Sequence, residues 1–224
     1  MIIFQRPSSR RQGSRSERIT IYLSAMSRVI TLLQKGKRAL QELELLKVLQ
    51  SEIRHELAND PYKNETGSLE DFVIDWDSQH SKDVIMRKKC ETGEELAISA
   101  LLGEETFLGD DCYPKEVDMK VCIKKTELTS ILQFDCKVLD EGQYKVDFHI
   151  QNAYYLKSPT DLSSTVYRGP VFRNLDHGLQ QELKQYLISR GIHKSLTNFL
   201  LLHLHKKEQN QYIKWLQKLE ATVA

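Results

Sequence analysis

Residues 117–155 constrain the fold of this chain more than any other stretch. Val117, Met119, Val121 and Ile123 alternate with Asp118, Lys120, Cys122 and Lys124, the two-residue period of a strand that buries one face and wets the other. Leu132, Phe134, Cys136 and Val138 repeat the pattern against Gln133, Asp135 and Lys137. After a turn at Asp140, Glu141, Gly142 and Gln143, so do Tyr144, Val146, Phe148 and Ile150 against Lys145, Asp147, His149 and Gln151. Connections this short leave no room for a crossover helix, so the three strands are antiparallel neighbours. One face of their sheet is apolar and needs a cover.

Three more strands are expected ahead of this meander. Phe72, Ile74 and Trp76 share one face of residues 70–76, and Val84 and Met86 one face of residues 83–90. Residues 96–102 are apolar enough to be buried on both faces. Residues 103–116 are predicted to be a loop, and a seventh strand is expected over 165–172, with Gly169 and Pro170 at an edge or bulge. Helical spacing brackets the sheet. Leu43, Leu46, Ile53 and Leu57 predict a helix over 40–58, stopped by Asn59, Asp60 and Pro61. Leu179, Leu183, Tyr186 and Leu187 predict another, with Asp176 as N-cap and Arg190 and Gly191 as its end, followed by a last helix over 194–219. The fold class is therefore α+β, a seven-stranded antiparallel sheet flanked by one N-terminal and two C-terminal helices. The last helix is apolar nearly all round at Phe199, Leu200, Leu201, Leu202 and Leu204. Such a helix needs cover on more than one side, which makes these five residues candidates for an oligomer interface.

Charge is segregated beneath a formal total of +1. Residues 1–40 hold nine basic side chains against the single acid Glu17, so the remainder is net acidic. An Arg- and Ser-rich, acid-poor segment that also carries Ile19, Leu23, Val29, Ile30, Leu32 and Leu33 has the composition of an organellar transit peptide. The expected organisation is a transit peptide or disordered leader over 1–40 and one folded domain over 41–224. A phosphate-gripping arm is the alternative for the basic segment. Between Glu91 and Asp118 stand nine acids and one base, Lys115. Glu91, Glu94, Glu95, Glu104, Glu105, Asp110 and Asp111 are thus candidates for an acidic surface that steers basic proteins or cations, although no D-x-D-x-D-G spacing marks a calcium loop.

Nothing in the pattern points to covalent chemistry. His203 and His205 are two apart on a helix and cannot chelate one metal, and His149 lies on the wet side of a strand. There is no phosphate loop, no GxSxG, no CxxC among Cys90, Cys112, Cys122 and Cys136, and no apolar run near the ~20 residues of a membrane span. The expectation is a protein with no enzymatic activity, no cofactor and no metal, in a reducing compartment.

One ordered set of residues does suggest a family. Tyr167-Arg168-Gly169-Pro170, Leu175-Asp176, Leu179, Leu183, Tyr186-Leu187 and Arg190-Gly191-Ile192, followed by Tyr212-Ile213 and Trp215-Leu216, resemble the C-terminal signature of the mitochondrial glycoprotein family, the family of complement component 1, Q subcomponent-binding protein, in its plant-like form. The agreement continues through Glu94 to Leu102 and the meander, covering residues 43–221. The resemblance implies a ring-shaped homotrimer in the mitochondrial matrix, a non-enzymatic, acidic, chaperone-like factor that supports mitochondrial translation, ribosome assembly or oxidative phosphorylation. Its implied partners are copies of itself and basic proteins or ribonucleoprotein surfaces. The acidic loops of the best-known member are shortened here, so binding of very basic partners should be weaker. Two other functions stay open: a nucleic-acid-binding regulator using the basic N-terminal segment, and a small-ligand carrier with a cavity between sheet and helices.

Overall fold

The computed structural model describes residues 15–59, 67–103, 106–108, 111–113, 116–140, 146–158 and 166–224. The chain divides into two compact units, Glu56–Trp215 and the pair Met1–His55 with Leu216–Ala224.

The larger unit is built on a six-stranded sheet. Its strands are β1 (Val73–Trp76), β2 (Asp83–Lys89), β3 (Glu94–Leu102), β6 (Val117–Lys125), β7 (Ile131–Asp140) and β8 (Val146–Leu156). They lie in the order β1-β2-β3-β6-β7-β8 with every neighbour antiparallel. The short strands β4 (Thr106–Leu108) and β5 (Asp111–Tyr113) pair separately. Period-two alternation survives wherever the register is regular. Met86 lies opposite Ile98, Ile98 opposite Val121 and Val121 opposite Phe134, and all four are buried on one face.

Helices close that face. Asp176 accepts hydrogen bonds from the N–H groups of Gly178 and Leu179 at 2.9 and 3.3 Å, starting α2 (His177–Ile188). Gly191, at φ +92°, supplies the left-handed turn into α3 (Lys194–Val223). Leu187, Ile192, Leu196, Leu200, Leu201 and Leu204 complete the core against Met86, Ile98, Val121 and Phe134. The second side of α3 is covered from nearby in space but far in sequence. The Ser68 N–H donates to the Ser195 carbonyl at 3.3 Å, Leu69 packs on the core, and a Cβ added to Gly67 would come within 2.3 Å of the Phe199 nitrogen. Only glycine permits so close an approach.

Within the smaller unit, Leu49 and Ile53 of α1 (Arg15–Ala58) bury themselves with Leu216, beside Leu219 and Val223. Gln50 Nε2 donates to Glu220 Oε1 at 3.0 Å. Leu33, Leu40 and Leu43 are exposed.

Six expectations are corrected. Residues 96–102 are buried on one face only, with Leu96, Ile98 and Ala100 under the helices and Ala97, Ser99 and Leu101 on the side that no helix covers. The main sheet has six strands, because residues 166–171 form none: Gly169 at φ +133° and Pro170 interrupt the ladder, leaving one bond from Tyr155 N–H to the Arg168 carbonyl at 3.2 Å. Within 103–116 the chain forms β4 and β5 instead of loop throughout. The first helix begins at Arg15 instead of 40, since no proline and a single glycine, Gly36, fall between Arg15 and Ala58. A register shift between Ile74 and Trp76 takes Trp76 off the covered face and sets it opposite Ile85. Finally, Leu200, Leu201, Leu202 and Leu204 are buried by the chain itself, so they are not available as an interface. Phe199, half-buried, stacks on His203 with 5.3 Å between ring centroids.

Candidate functional site

The face of the sheet turned away from α2 and α3 is the open one. Trp76 and Val73 of β1 are 53% and 69% exposed and Leu101 of β3 is 39% exposed, with Ile85, Ala97, Ser99 and Cys122 half-buried among them. The register sets Trp76 opposite Ile85, Ile85 opposite Ser99 and Ala97 opposite Cys122. An apolar strip therefore crosses four strands. Burial lifts the Cys122 thiol above its ordinary range, which favours its neutral form.

Ion pairs flank this strip. Arg87 Nε reaches Asp75 at 2.7 Å, Lys89 lies 3.9 Å from Glu95, and Lys137 is 2.5 Å from Glu116 and 4.0 Å from Asp118. Lys124 faces Glu95 across strands, and Lys120 faces Asp135. The hydrogen bond that Lys137 donates to Glu116 outweighs slight burial and, with the nearby Asp118 charge, holds Lys137 above the ordinary lysine range. Each exposed pair contributes little on its own, but together they balance charge across the face.

The seven acidic candidates have different fates. Glu91, in the β2–β3 turn, and Glu95, at the start of β3, are exposed. Glu94 does not belong to the surface. It is buried, and its two oxygens accept from Arg190 Nε and Nη2 at 2.9 and 3.0 Å, while the guanidinium stacks 3.4 Å over the Tyr186 ring. Its charge is spent inside the chain. Asp111 opens β5, paired with Leu108, and Glu104, Glu105 and Asp110 lie outside the described residues. Cross-strand lysines thus offset much of what a linear count of acids suggests.

One polar cluster was not anticipated. Lys207, 9% exposed, donates to Asp77 Oδ1 and to the Asp83 carbonyl, each at 2.6 Å, and His203 Nε2 lies 2.8 Å from Asp77 Oδ2. Burial would push the Asp77 carboxyl up, but the bonds from Lys207 and His203 outweigh it and hold it below the usual carboxylate range. Gln211 adds donations to the Gln79 and Ser81 carbonyls at 2.9 and 2.8 Å. The cluster clamps the β1–β2 connection to α3. Its signal in the sequence was weak: His203, Lys207 and Gln211 at helical spacing. Trp76 was visible only as a strand residue, because the register shift that exposes it leaves no mark in the alternation. Among the described residues, no group of three His, Cys, Asp or Glu side chains could hold a metal ion, and no helix is long and apolar enough to cross a membrane.

Comparison with known proteins adds the following. A family model described as mitochondrial glycoprotein matches residues 75–223. Mitochondrial acidic protein mam33 of Schizosaccharomyces pombe is 34% identical over 98 residues, which are 39% of this chain and 35% of that protein. An uncharacterised mitochondrial protein of Arabidopsis thaliana is 30% identical over 99 residues, 43% of this chain and 36% of that one. The chain thus spans about a third of the length of these relatives. In three dimensions it is similar to the p22 protein of Trypanosoma brucei, with a TM-score of 0.64 and 21% identity over 83% of this chain and all (100%) of that one. It is also similar to a Leishmania major protein of unknown function described as a homologue of human p32, with a TM-score of 0.62 and 18% identity over 82% and 99% of the two chains.

Proposed function

The chain belongs to the mitochondrial glycoprotein family, and on that premise we propose that it is a non-enzymatic mitochondrial matrix protein, a homotrimer acting as a binding or chaperone-like factor in mitochondrial translation, ribosome assembly or oxidative phosphorylation. The observation that carries this reading is the open sheet face, where Trp76, Val73 and Leu101 remain exposed while Leu200, Leu201 and Leu204 of α3 are buried. Large apolar side chains gathered on one face and ringed by charge mark a contact surface. In this reading that face, and not the α3 leucines, joins the copies. Glu91 and Glu95 stand at the β2–β3 end, where basic proteins or ribonucleoprotein surfaces dock by charge complementarity.

Light scattering after size exclusion of the full chain tests the assembly. The expected mass is that of three chains, falling to one chain when Trp76 and Leu101 are both replaced by Glu, with the circular dichroism spectrum retained. A wild-type mass of one chain overturns the trimer. The acidic contact is tested with a polylysine probe, whose binding should weaken with salt and with Glu91→Gln plus Glu95→Gln. Salt-independent binding overturns it.

A further inference from the structure

We propose that the groove between α2 and the β6–β7 turn is a binding site for an amphipathic monocarboxylate, its chain lying on an apolar floor and its carboxylate meeting Lys125. The exposed residues on which the proposed function rests take no part in it. The groove encloses about 740 Å³, within the ~300–1,000 Å³ of sites for drug-sized ligands. Ile123, Leu132, Leu183 and Tyr186 line its apolar body. Leu128 and Tyr155, 51% and 56% exposed, stand around it. These two large apolar side chains are left wet beside a concavity that already has an apolar lining, and an apolar ligand would remove both from water.

The two ends of the groove differ in charge. Glu182 and Ser189 both line it from α2, and at about 1.5 Å per residue the turn and more between them separates them by roughly 10 Å. Lys125 belongs to the Ser189 end, because it lies 3.8 Å from Glu94, the residue that Arg190 holds. That distance exceeds a hydrogen bond, and both Glu94 oxygens already accept from Arg190 at 2.9 and 3.0 Å. The Lys125 ammonium, 59% exposed, retains its capacity for an incoming anion. Ser130 lines the same groove, whereas the Ser189 hydroxyl already donates to the Tyr186 carbonyl at 2.9 Å. Glu182 repels a second anion at the far end. A single carboxylate on an apolar chain therefore fits better than a dicarboxylate or a phosphate diester.

The test is calorimetric titration of the full chain with decanoate, with decanol as the neutral probe and sebacate as the dicarboxylate. Decanoate should bind saturably at one per chain and sebacate more weakly. Lys125→Glu should weaken decanoate roughly tenfold, the loss of one charge-assisted contact, and leave decanol unchanged. Leu128→Glu, at an exposed position that leaves folding undisturbed, should act in the same direction. Leu183→Trp should fill the floor and abolish both ligands, and if that variant fails to fold, the Leu128→Glu result decides. Absence of saturable binding, or decanoate affinity indifferent to both Lys125→Glu and Leu128→Glu, overturns the site. So does a Leu183→Trp protein of altered oligomeric mass from a wild type that binds no decanoate, which would assign the groove to a second copy of the chain.

Discussion

Phe134 and Asp135 are adjacent on β7 and live in different worlds. Phe134 lies opposite Val121 and Ala153 on the face that α2 and α3 close, and it is fully buried. Asp135 lies opposite Lys120 on the face that stays open. The closed face is held by apolar volume from strands and helices far apart in sequence, packed to a density that leaves little slack. The open face is held by register and by ion pairs that each contribute little. The same backbone therefore carries one surface intolerant of change and another on which substitution is nearly free, which is where contacts with other molecules can be built.

The largest expected effect probes that contrast directly. Phe134→Ala should cost about 3–5 kcal/mol of unfolding free energy, whereas Asp135→Ala should cost under ~1 kcal/mol. Urea denaturation of the two variants is the measurement, and equal losses would erase the distinction between the faces. Next comes Glu94, the buried carboxylate that Arg190 holds. Glu94→Ala leaves Arg190 buried without a partner and should cost about 3 kcal/mol. Replacing Glu94 and Arg190 together by Met should recover most of that loss, because the pair bears its own desolvation penalty. A double variant as unstable as the single would show the pair to be a net source of stability.

How far the sequence disclosed these faces follows from the same contrast. Alternation identified the buried side of β2, β6 and β7 residue by residue, since period two holds wherever the ladder is unbroken, whereas β3, read as buried on both faces, keeps Ala97, Ser99 and Leu101 on the open one. It failed at Trp76, where the register shifts after Ile74, and a second shift between Asp135 and Cys136 changes which residues of β8 face the core. A bulge inserts one residue and leaves the hydrophobic pattern locally ambiguous. The α3 leucines were misassigned to an interface for a different reason. Leu200, Leu201 and Leu204 bury against the sheet, with Leu69 packed on the same core, and helical periodicity cannot connect α3 to either. Linear charge counting likewise overstated the acidic surface, because Glu94, Glu95, Glu116 and Asp118 meet cations supplied by other strands and by the α2–α3 connection. The groove beside α2 had no sequence signal, being a gap between elements.

Smaller effects refine the picture of how the cover is attached. Asp176→Ala removes the cap that accepts from Gly178 and Leu179 and should cost about 1 kcal/mol. Hydrogen exchange should then accelerate in the first turn of α2 while the amides of β6 and β7 are unchanged. Equal acceleration in the sheet would mean that α2 and the sheet open as one unit.

The dependence on pH is the finest probe, because the shifted groups of the helix cover and of the open face titrate at opposite ends of the scale. Asp77 is tied to Lys207 of α3. Asp147, tied to Lys184 of α2 at 2.7 Å, is likewise held below the usual carboxylate range, with burial outweighed by the bonds from Lys184 and the Phe148 N–H. A carboxyl depressed in the folded state contributes stability that is present above its unfolded value and lost as pH falls through the folded one. The helix cover should therefore loosen only below about pH 4, and Asp77→Asn with Asp147→Asn should flatten that acid limb. Lys137 on the open face is raised, so its contribution is present below the ordinary lysine value of 10.5 and lost as pH climbs through the folded one. Lys137→Met should flatten the alkaline limb. Unfolding free energies measured in urea across the pH range decide it: an acid limb that survives Asp77→Asn with Asp147→Asn, or an alkaline limb that survives Lys137→Met, would mean that these pairs do not carry the dependence.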